Sequence, residues 1–150
     1  MQLLGHLALG YFSALAARRF SNEKFNILFV WFISILPDVD ILFHGYIIHR
    51  GPTHSIIVQA IICLPIYLIL RRGLPYFAAL FSHSLIGDFV NPPTPLLWPI
   101  SSNWYGIGNS LKLVGSSLQI VEMTLFALMI IAIILNRKKM SPRDLFLSEA

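Results

Sequence analysis

Five blocks of the chain are almost wholly apolar, and short polar or charged stretches separate them. In chain order the blocks are Leu3–Ala17, Phe25–Leu36, Ser55–Leu70, Leu74–Val90 and Leu118–Leu135. Several are nearer about 16 residues than the roughly 20 that cross a bilayer comfortably, and the last is the best single span. The second is ambiguous, because Pro37 bends or stops a helix near its end. We therefore predict an all-α fold for residues 1–150: one polytopic membrane bundle of about five transmembrane helices.

Composition supports a membrane protein and excludes several classes of soluble protein. Apolar residues make up 56% of the chain and charged residues 12%, whereas a soluble domain carries about 25% charged residues. Mean hydropathy is +0.71. The net charge of +4 is therefore not interpreted as a nucleic-acid-binding surface. The single Cys63 excludes an internal disulfide and a cysteine zinc cluster.

The basic residues predict the orientation of the bundle. Nine of the 11 Lys and Arg residues follow the first, third or fifth block: Arg18, Arg19, Lys24, Arg71, Arg72, Arg137, Lys138, Lys139 and Arg143. The positive-inside rule then places the N-terminus outside and the C-terminus, with a tail at 140–150, in the cytoplasm. This is the pattern of a multi-pass protein of the inner (cytoplasmic) membrane. No basic region precedes the first block, so it is not a cleavable signal peptide.

Two longer segments then lie on the outer side. Asp38–His54 links the second and third blocks, and Asn91–Ser117 links the fourth and fifth. The second segment is rich in Pro, Trp, Ser and Gly and is too long for a tight turn, which predicts a lid or a partly buried plug. Trp98 and Trp104 within it fit either an aromatic belt at the headgroups or a wall that grips a substrate.

Ionisable side chains gather at this same outer end of the predicted helices. They are His6, Asp38, Asp40, His44, His49, His54, His83, Asp88 and Glu122. A bilayer repels ionisable side chains, so those that it retains usually pair, bind an ion or take part in chemistry. Their clustering predicts a metal site near the outer leaflet.

The spacing of these residues sets conditions on such a site. Asp38 and Asp40 would share a face of an extended segment and reach one cation or bridge two; the alternative is a solvated helix end. His83 and Asp88 lie about 140° apart around an ideal helix. They can ligate together only if the helix ends, tightens or bulges there. His6, alone in the first block, is either a ligand or a packed interior residue.

Three further residues keep more than one interpretation. Thr53 is a predicted N-cap of the third helix, which places the potential ligand His54 in its first turn. Arg50 suits recognition of a phosphate, or it pairs with a neighbouring Asp, or it reaches lipid phosphate. Glu122 begins the fifth block as a ligand, a proton-handling base or a supporting partner. His44, whose path is unclear, is not included among the ligands.

Donors without cysteine suit zinc, with manganese or iron as alternatives. Six or seven candidate donors exceed the four of a closed zinc site. The excess predicts either two ions or one ion with a shell of supporting residues. Two metals about 4 Å apart would activate water and clamp phosphoryl oxygens.

Most of the candidate site residues discussed so far fall within five short motifs. The motifs are Gly5-His6, Leu36-Pro37-Asp38-Val39-Asp40, His49-Arg50-Gly51-Pro52-Thr53-His54-Ser55, Ser82-His83 with Asp88, and Leu96-Leu97-Trp98-Pro99. Together they resemble the YdjM-type family, whose members are described as LexA-regulated, membrane-bound, metal-dependent hydrolases. The resemblance implies metal ligation, in whole or in part, by His6, Asp38, Asp40, His49, His54, His83 and Asp88. A looser similarity to zinc-dependent phospholipases C supports a phosphoester substrate.

Three functions compete at this point. The favoured one is a hydrolase of a lipid-linked or amphipathic phosphoester at the outer leaflet, in which Asp40 or Glu122 moves a proton and Arg50 holds the phosphate. The second is a membrane metal transporter or sensor, since intramembrane His and Asp also line ion pathways. The third is a non-catalytic structural membrane protein. The expected partner is a membrane lipid, not a nucleic acid.

Overall fold

The computed structural model describes residues 2–43, 50–70, 73–90, 93–107, 110 and 115–137. Within them the prediction of an all-α fold is confirmed. The α-helices are α1 (Leu3–Ser21), α2 (Ile27–Ser34), α3 (Ile56–Leu70), α4 (Leu74–Ser82) and α5 (Ser116–Arg137). Three short helices of other types occur at the ends of these: 3-10 helices at Leu36–Phe43 and Pro52–His54, and a π-helix at His83–Asp88.

Helix α1 is the centre of the bundle and packs against α2, α4 and α5. Small residues allow this close packing. A methyl group added at Gly10 of α1 would overlap the side chain of Ser34 at the end of α2. Small residues let helix backbones approach closely where lipid supplies no hydrophobic driving force between helices. The buried core formed in this way consists of Ala8, Tyr11, Ala14, Phe25, Ile27, Val30, Ala79 and Met129.

The end of the bundle that carries the basic residues is closed by backbone capping. Asn22 ends α1 in the left-handed conformation, with its N–H donating to the Arg18 carbonyl at 2.8 Å, as is common at helix C-termini. The Glu23 carboxylate then accepts hydrogen bonds from the N–H groups of Gly73 (2.7 Å) and Leu74 (3.1 Å). A carboxylate here also complements the positive end of α4. These contacts fix α1 and α4 relative to each other.

The helices differ in length from the predicted spans. Among the described residues, α5 is the one helix that is long and apolar enough to cross a membrane by length and composition, over Ser116–Asn136. Helices α2 and α4 contain only 8 and 9 residues. Each is shortened because the segment that continues it takes another helical form, 3-10 after α2 and π after α4. The sequence blocks marked the apolar segments but not these changes of helix type.

Candidate metal centre

Asp38 and Asp40 are brought to the site by the 3-10 helix that follows α2. Pro37 lacks the N–H that would continue α2, and the chain tightens so that the Asp38 N–H donates to the Ile35 carbonyl at 3.1 Å. At three residues per turn, positions two apart point in different directions. The expectation that both carboxylates share one face was wrong, because the segment is helical and not extended. Asp40 is fully buried, and Asp38 keeps an exposed edge.

The π-helix brings His83 and Asp88 together. Its wider turn, with i to i+5 hydrogen bonding, returns the residue five positions on to nearly the same face, and such turns occur frequently at functional sites. His83 Nε2 lies 3.4 Å from Asp88 Oδ2 as a result. The bulge that the sequence required for joint ligation by these two residues is therefore present.

Four side-chain donors from three short helices form a closed ring. His54 Nε2 lies 3.2 Å from both Asp38 Oδ1 and Asp88 Oδ2. His83 Nε2 lies 3.4 Å from the same two oxygens. Asp38 and His54 each come from a 3-10 helix, and His83 and Asp88 are the first and last residues of the π-helix. Imidazole nitrogens and carboxylate oxygens thus alternate around a common centre.

Both imidazoles of this ring are held by their other nitrogen. His83 Nδ1 donates to the Ser34 carbonyl at 2.7 Å, and His54 Nδ1 lies 3.1 Å from Thr53 Oγ1. A proton on Nδ1 leaves the lone pair of Nε2 directed into the ring, as in metal-ligating histidines. His83 Nε2 is buried and has no hydrogen-bond partner within the described residues. The donors therefore fit a divalent cation, since lone pairs that face carboxylates need positive charge between them.

Protons are the other source of that positive charge. Because ligands must be deprotonated, a metal ion competes with protons for the two imidazoles.

His6 of α1 extends the centre on one side. Its ring stacks on that of His83 at 3.7 Å between centroids, and His6 Nε2 lies 3.7 Å from Asp88 Oδ1. Gly87 makes this approach possible, since a Cβ there would lie 2.6 Å from the His6 ring. Two overlapping groups of donors result: Asp38, His54 and His83, and His6, His83 and Asp88.

Arg50 supplies a cation beside the ring. Its guanidinium Nη2 lies 3.7 Å from Asp88 Oδ1, and its backbone N–H donates to Asp40 Oδ2 at 2.9 Å. The residue adopts a left-handed φ of 62°, a conformation that costs free energy for a residue with a Cβ and that clusters at functional sites. The interaction with Asp40 is thus made by the backbone, which leaves the guanidinium directed toward Asp88.

Asp40 lies behind His54 and not in the ring. Its Oδ2 accepts from Thr53 Oγ1 at 3.1 Å and lies 3.5 Å from His54 Nδ1. These contacts suit a carboxylate that positions a ligating histidine through its outer nitrogen. The predicted N-cap role of Thr53 was wrong, because Thr53 is within a 3-10 helix and Ser55 Oγ instead accepts from the Ile57 N–H at 3.2 Å.

Two predicted site residues are placed elsewhere or not described. Glu122 is 3% exposed and accepts a hydrogen bond from the Gln2 N–H at 2.7 Å. It thereby ties α5 to the start of α1 and is not a member of either donor group. His49, together with His44, lies outside the described residues.

Several residues that support the centre were missed. Gln59 is buried, and its Nε2 donates to the Thr53 carbonyl at 3.2 Å and to Ser84 Oγ at 2.7 Å. It joins the 3-10 helix of His54 to the π-helix. An amide in the middle of an apolar block was the signal that could have identified it. The Ser34 carbonyl has no such signal, because any residue supplies a carbonyl.

The outer segment after α4 packs on the start of α3. The Ser55 hydroxyl and the Ile56 N–H both donate to the Leu96 carbonyl, at 3.1 and 3.0 Å. Thr94 and Tyr105 form an isolated antiparallel bridge that closes the segment into a loop. The buried part of this loop thus holds Ser55, the residue next to His54.

Replacement of Thr53 by valine is expected to weaken metal binding by about 10- to 100-fold, the usual cost of losing an outer partner of a ligating histidine. Valine keeps the volume but removes the hydroxyl between His54 and Asp40. Thr53→Ser restores the hydroxyl and is the matched control. Competition with a chromophoric zinc chelator in detergent measures both affinities. Equal affinities for the valine and serine variants would show that the hydroxyl does not position His54.

A comparison of the chain with models of known protein families identifies one matching family. A family model described as YdjM inner membrane protein matches residues 1–142. The chain belongs to the YdjM inner membrane protein family. The resemblance seen in the sequence motifs is thereby confirmed. Comparisons with curated proteins and with solved structures found no match.

Membership of the YdjM family indicates the cellular location of the candidate metal centre. The family name places the protein in the inner membrane, and α5 provides a helix able to cross it. The buried donor groups that could hold a metal are therefore part of an inner membrane protein.

Proposed function

We propose that this YdjM-family protein is a metal-dependent hydrolase that acts on a lipid-linked or amphipathic phosphoester at the outer leaflet of the inner membrane. The observation that carries the proposal is the alternating ring of Asp38, His54, Asp88 and His83. Such a ring with a cation beside it suits phosphoester chemistry, and its place in a membrane protein favours a substrate that is itself in the membrane.

The ring residues would hold one divalent cation, with zinc favoured and manganese or iron as alternatives. Four donor–donor separations around the ring are 3.2 or 3.4 Å, close to the roughly 3.3–3.4 Å between adjacent ligands that lie about 2.0–2.1 Å from a zinc ion. The His6 side of Asp88 offers donors for a second cation. A bound cation would supply Lewis acidity toward a phosphoryl oxygen and a nucleophile at neutral pH.

Arg50 is the residue that we assign to the substrate phosphate. A guanidinium binds phosphate oxygens in a bidentate manner, and this one lies beside the ring on a backbone held by Asp40. Buried Asp40 acts through Thr53 and His54 in this proposal and does not touch the substrate. Glu122, joined to Gln2, stabilises the start of α1, the helix that carries His6.

The proposed topology has five spans, an outer N-terminus and a cytoplasmic C-terminus. Helix α1 supports it, since His6 lies near its N-terminal end and Arg18 and Arg19 lie in its last turn. The positive-inside rule then places the metal centre on the extracytoplasmic side. Short α2 and α4 would cross as part of longer mixed helices with their 3-10 and π continuations.

Transport of metal has less support than hydrolysis. A transport route needs polar groups along the bundle. The buried serines of the described residues, Ser34, Ser55, Ser82 and Ser84, all adjoin His54 or His83 in the chain or by a hydrogen bond, so they do not extend a polar route beyond the centre. Uptake of zinc into proteoliposomes, without phosphate release, is the result that would favour transport.

Purified protein is expected to release phosphate from synthetic lipid phosphomonoesters or phosphodiesters, and chelation of the metal is expected to abolish the release. Arg50→Gly should lower kcat/KM by about 100-fold, or roughly 2.7 kcal/mol of transition-state stabilisation, while metal content is unchanged. Glycine is the suitable replacement because the backbone there is left-handed. Phosphate assays and metal analysis of the same preparations provide the measurement.

Two outcomes would contradict the proposal. One is a preparation that binds metal stoichiometrically but hydrolyses none of a panel of lipid phosphoesters. The other is an Arg50→Gly variant with full activity, which would remove the guanidinium from phosphate recognition.

A further inference from the structure

An apolar groove leads away from the ring along the outer part of α2. Its volume is about 440 Å³, within the roughly 300–1,000 Å³ typical of ligand sites. Leu3, Phe32, Leu36, Val39 and Leu42 form its apolar wall, and Asp38 and Arg50 are its charged residues. The lining of the groove is therefore mainly apolar and includes one anionic and one cationic side chain.

Asp38 belongs both to the ring and to the wall of the groove. Its side chain is 27% exposed, whereas those of His54, His83 and Asp88 are at most 2% exposed. Within the described residues, the ring is thus reached from the groove. Any molecule that approaches the ring by this route must pass the apolar wall and the guanidinium of Arg50, whose side chain is 19% exposed.

We propose that this groove binds the hydrocarbon chain of a phosphate amphiphile, with the phosphate at Arg50 and the ring. The inference rests on the proposed function and specifies its substrate class: a phosphoester carried on a hydrocarbon chain, entering sideways from the bilayer. Charge complementarity selects this occupant, because Arg50 and Asp38, a member of the candidate cation site, both line the groove. A neutral lipid chain would gain the apolar contacts but offer no anionic group to the guanidinium of Arg50 or to the cation site.

The inference differs from general contact with lipid tails. Apolar surface is expected on every helix that faces lipid, as on α3, where Leu68 is 64% exposed. Leu68 does not line the groove, whereas Leu42, 79% exposed, does. The two leucines are therefore a matched pair, alike in exposure and different in access to the ring.

Photolabelling tests the assignment. The probe is a hexadecyl phosphonate with a diazirine in its chain, which cannot be hydrolysed, added to the full-length protein in nanodiscs. Labelling is expected to concentrate between Phe32 and Leu42. Leu42→Trp, which fills the groove, should reduce that labelling at least fivefold, and Leu68→Trp should leave it unchanged. The same chain with a neutral glycerol head should label the groove several-fold less.

Labelling that follows exposure across α3 and α5, or that survives Leu42→Trp, would overturn the groove assignment. The photolabelling result does not depend on turnover, so the two proposals fail separately. Groove-specific labelling without any chelator-sensitive phosphate release would refute the proposed hydrolase function and support the groove as a binding site. Phosphate release with dispersed labelling would refute only the assignment of the groove.

Discussion

Replacement of His83 by alanine is expected to abolish metal binding, with an affinity loss of more than about 100-fold. His83 belongs to both donor groups, so no complete set of ligands remains without it. Loss of an outer partner already costs 10- to 100-fold, and loss of a ligand costs more. Metal analysis of the protein after gel filtration measures the effect. His6→Ala, which leaves the ring of four donors intact, should retain one ion.

The control for His83→Ala is Ile86→Ala, on the same π-helix but with an exposed side chain. It should retain full metal content. Thermal unfolding in detergent separates metal loss from misfolding, since the alanine variant should resemble wild-type protein stripped with chelator. Retention of a stoichiometric ion by His83→Ala would refute the ring as the metal site.

Replacement of Gly87 by alanine is expected to destabilise the protein by about 1–3 kcal/mol, the usual cost of overpacking, and to displace His6. The added Cβ would lie 2.6 Å from the His6 ring, and the ring cannot retreat easily because it stacks on His83. Denaturation followed by intrinsic fluorescence gives the change in stability. Metal titration shows whether the second donor group is lost.

A double-mutant cycle makes this prediction specific. In the His6→Ala background the imidazole is gone, so Gly87→Ala should cost much less than in wild-type protein. An equal cost in both backgrounds would mean that glycine is needed for the π-helix itself and not for the approach of His6.

The residues of the centre were recognisable from the sequence because ionisable side chains are costly in a bilayer. His6, His83 and Asp88 had few structural reasons to occupy apolar blocks, and His54 directly precedes one. The structure brings all four together. The all-α fold followed from the same blocks. Both predictions depend on residue identity, which the sequence gives directly.

The different positions of the two carboxylates, Asp38 in the ring and Asp40 behind His54, could not be predicted in the same way. It depends on the type of helix after Pro37, where a 3-10 turn separates two carboxylates that an extended chain would align. The local residues allow either conformation, and hydrophobic patterning does not distinguish between them. The Ser34 carbonyl that orients His83 is likewise set by the tertiary fold.

The lengths of α2 and α4 were overestimated for a related reason. Hydropathy records where a segment is apolar and carries no information on the hydrogen-bonding pattern of its backbone. The change from α to π at His83 is invisible to it, although the five-residue spacing to Asp88 required such a change.

The π-helix at His83–Asp88 links the backbone conformation of this segment to metal binding at the centre. An ordinary α-helix over these residues would swing the Asp88 carboxylate away from His83, so only the π form offers the complete ring. Whatever binds one form alone stabilises that form. Loading the centre with an ion is therefore expected to stabilise this uncommon backbone arrangement relative to an ordinary helix over the same residues.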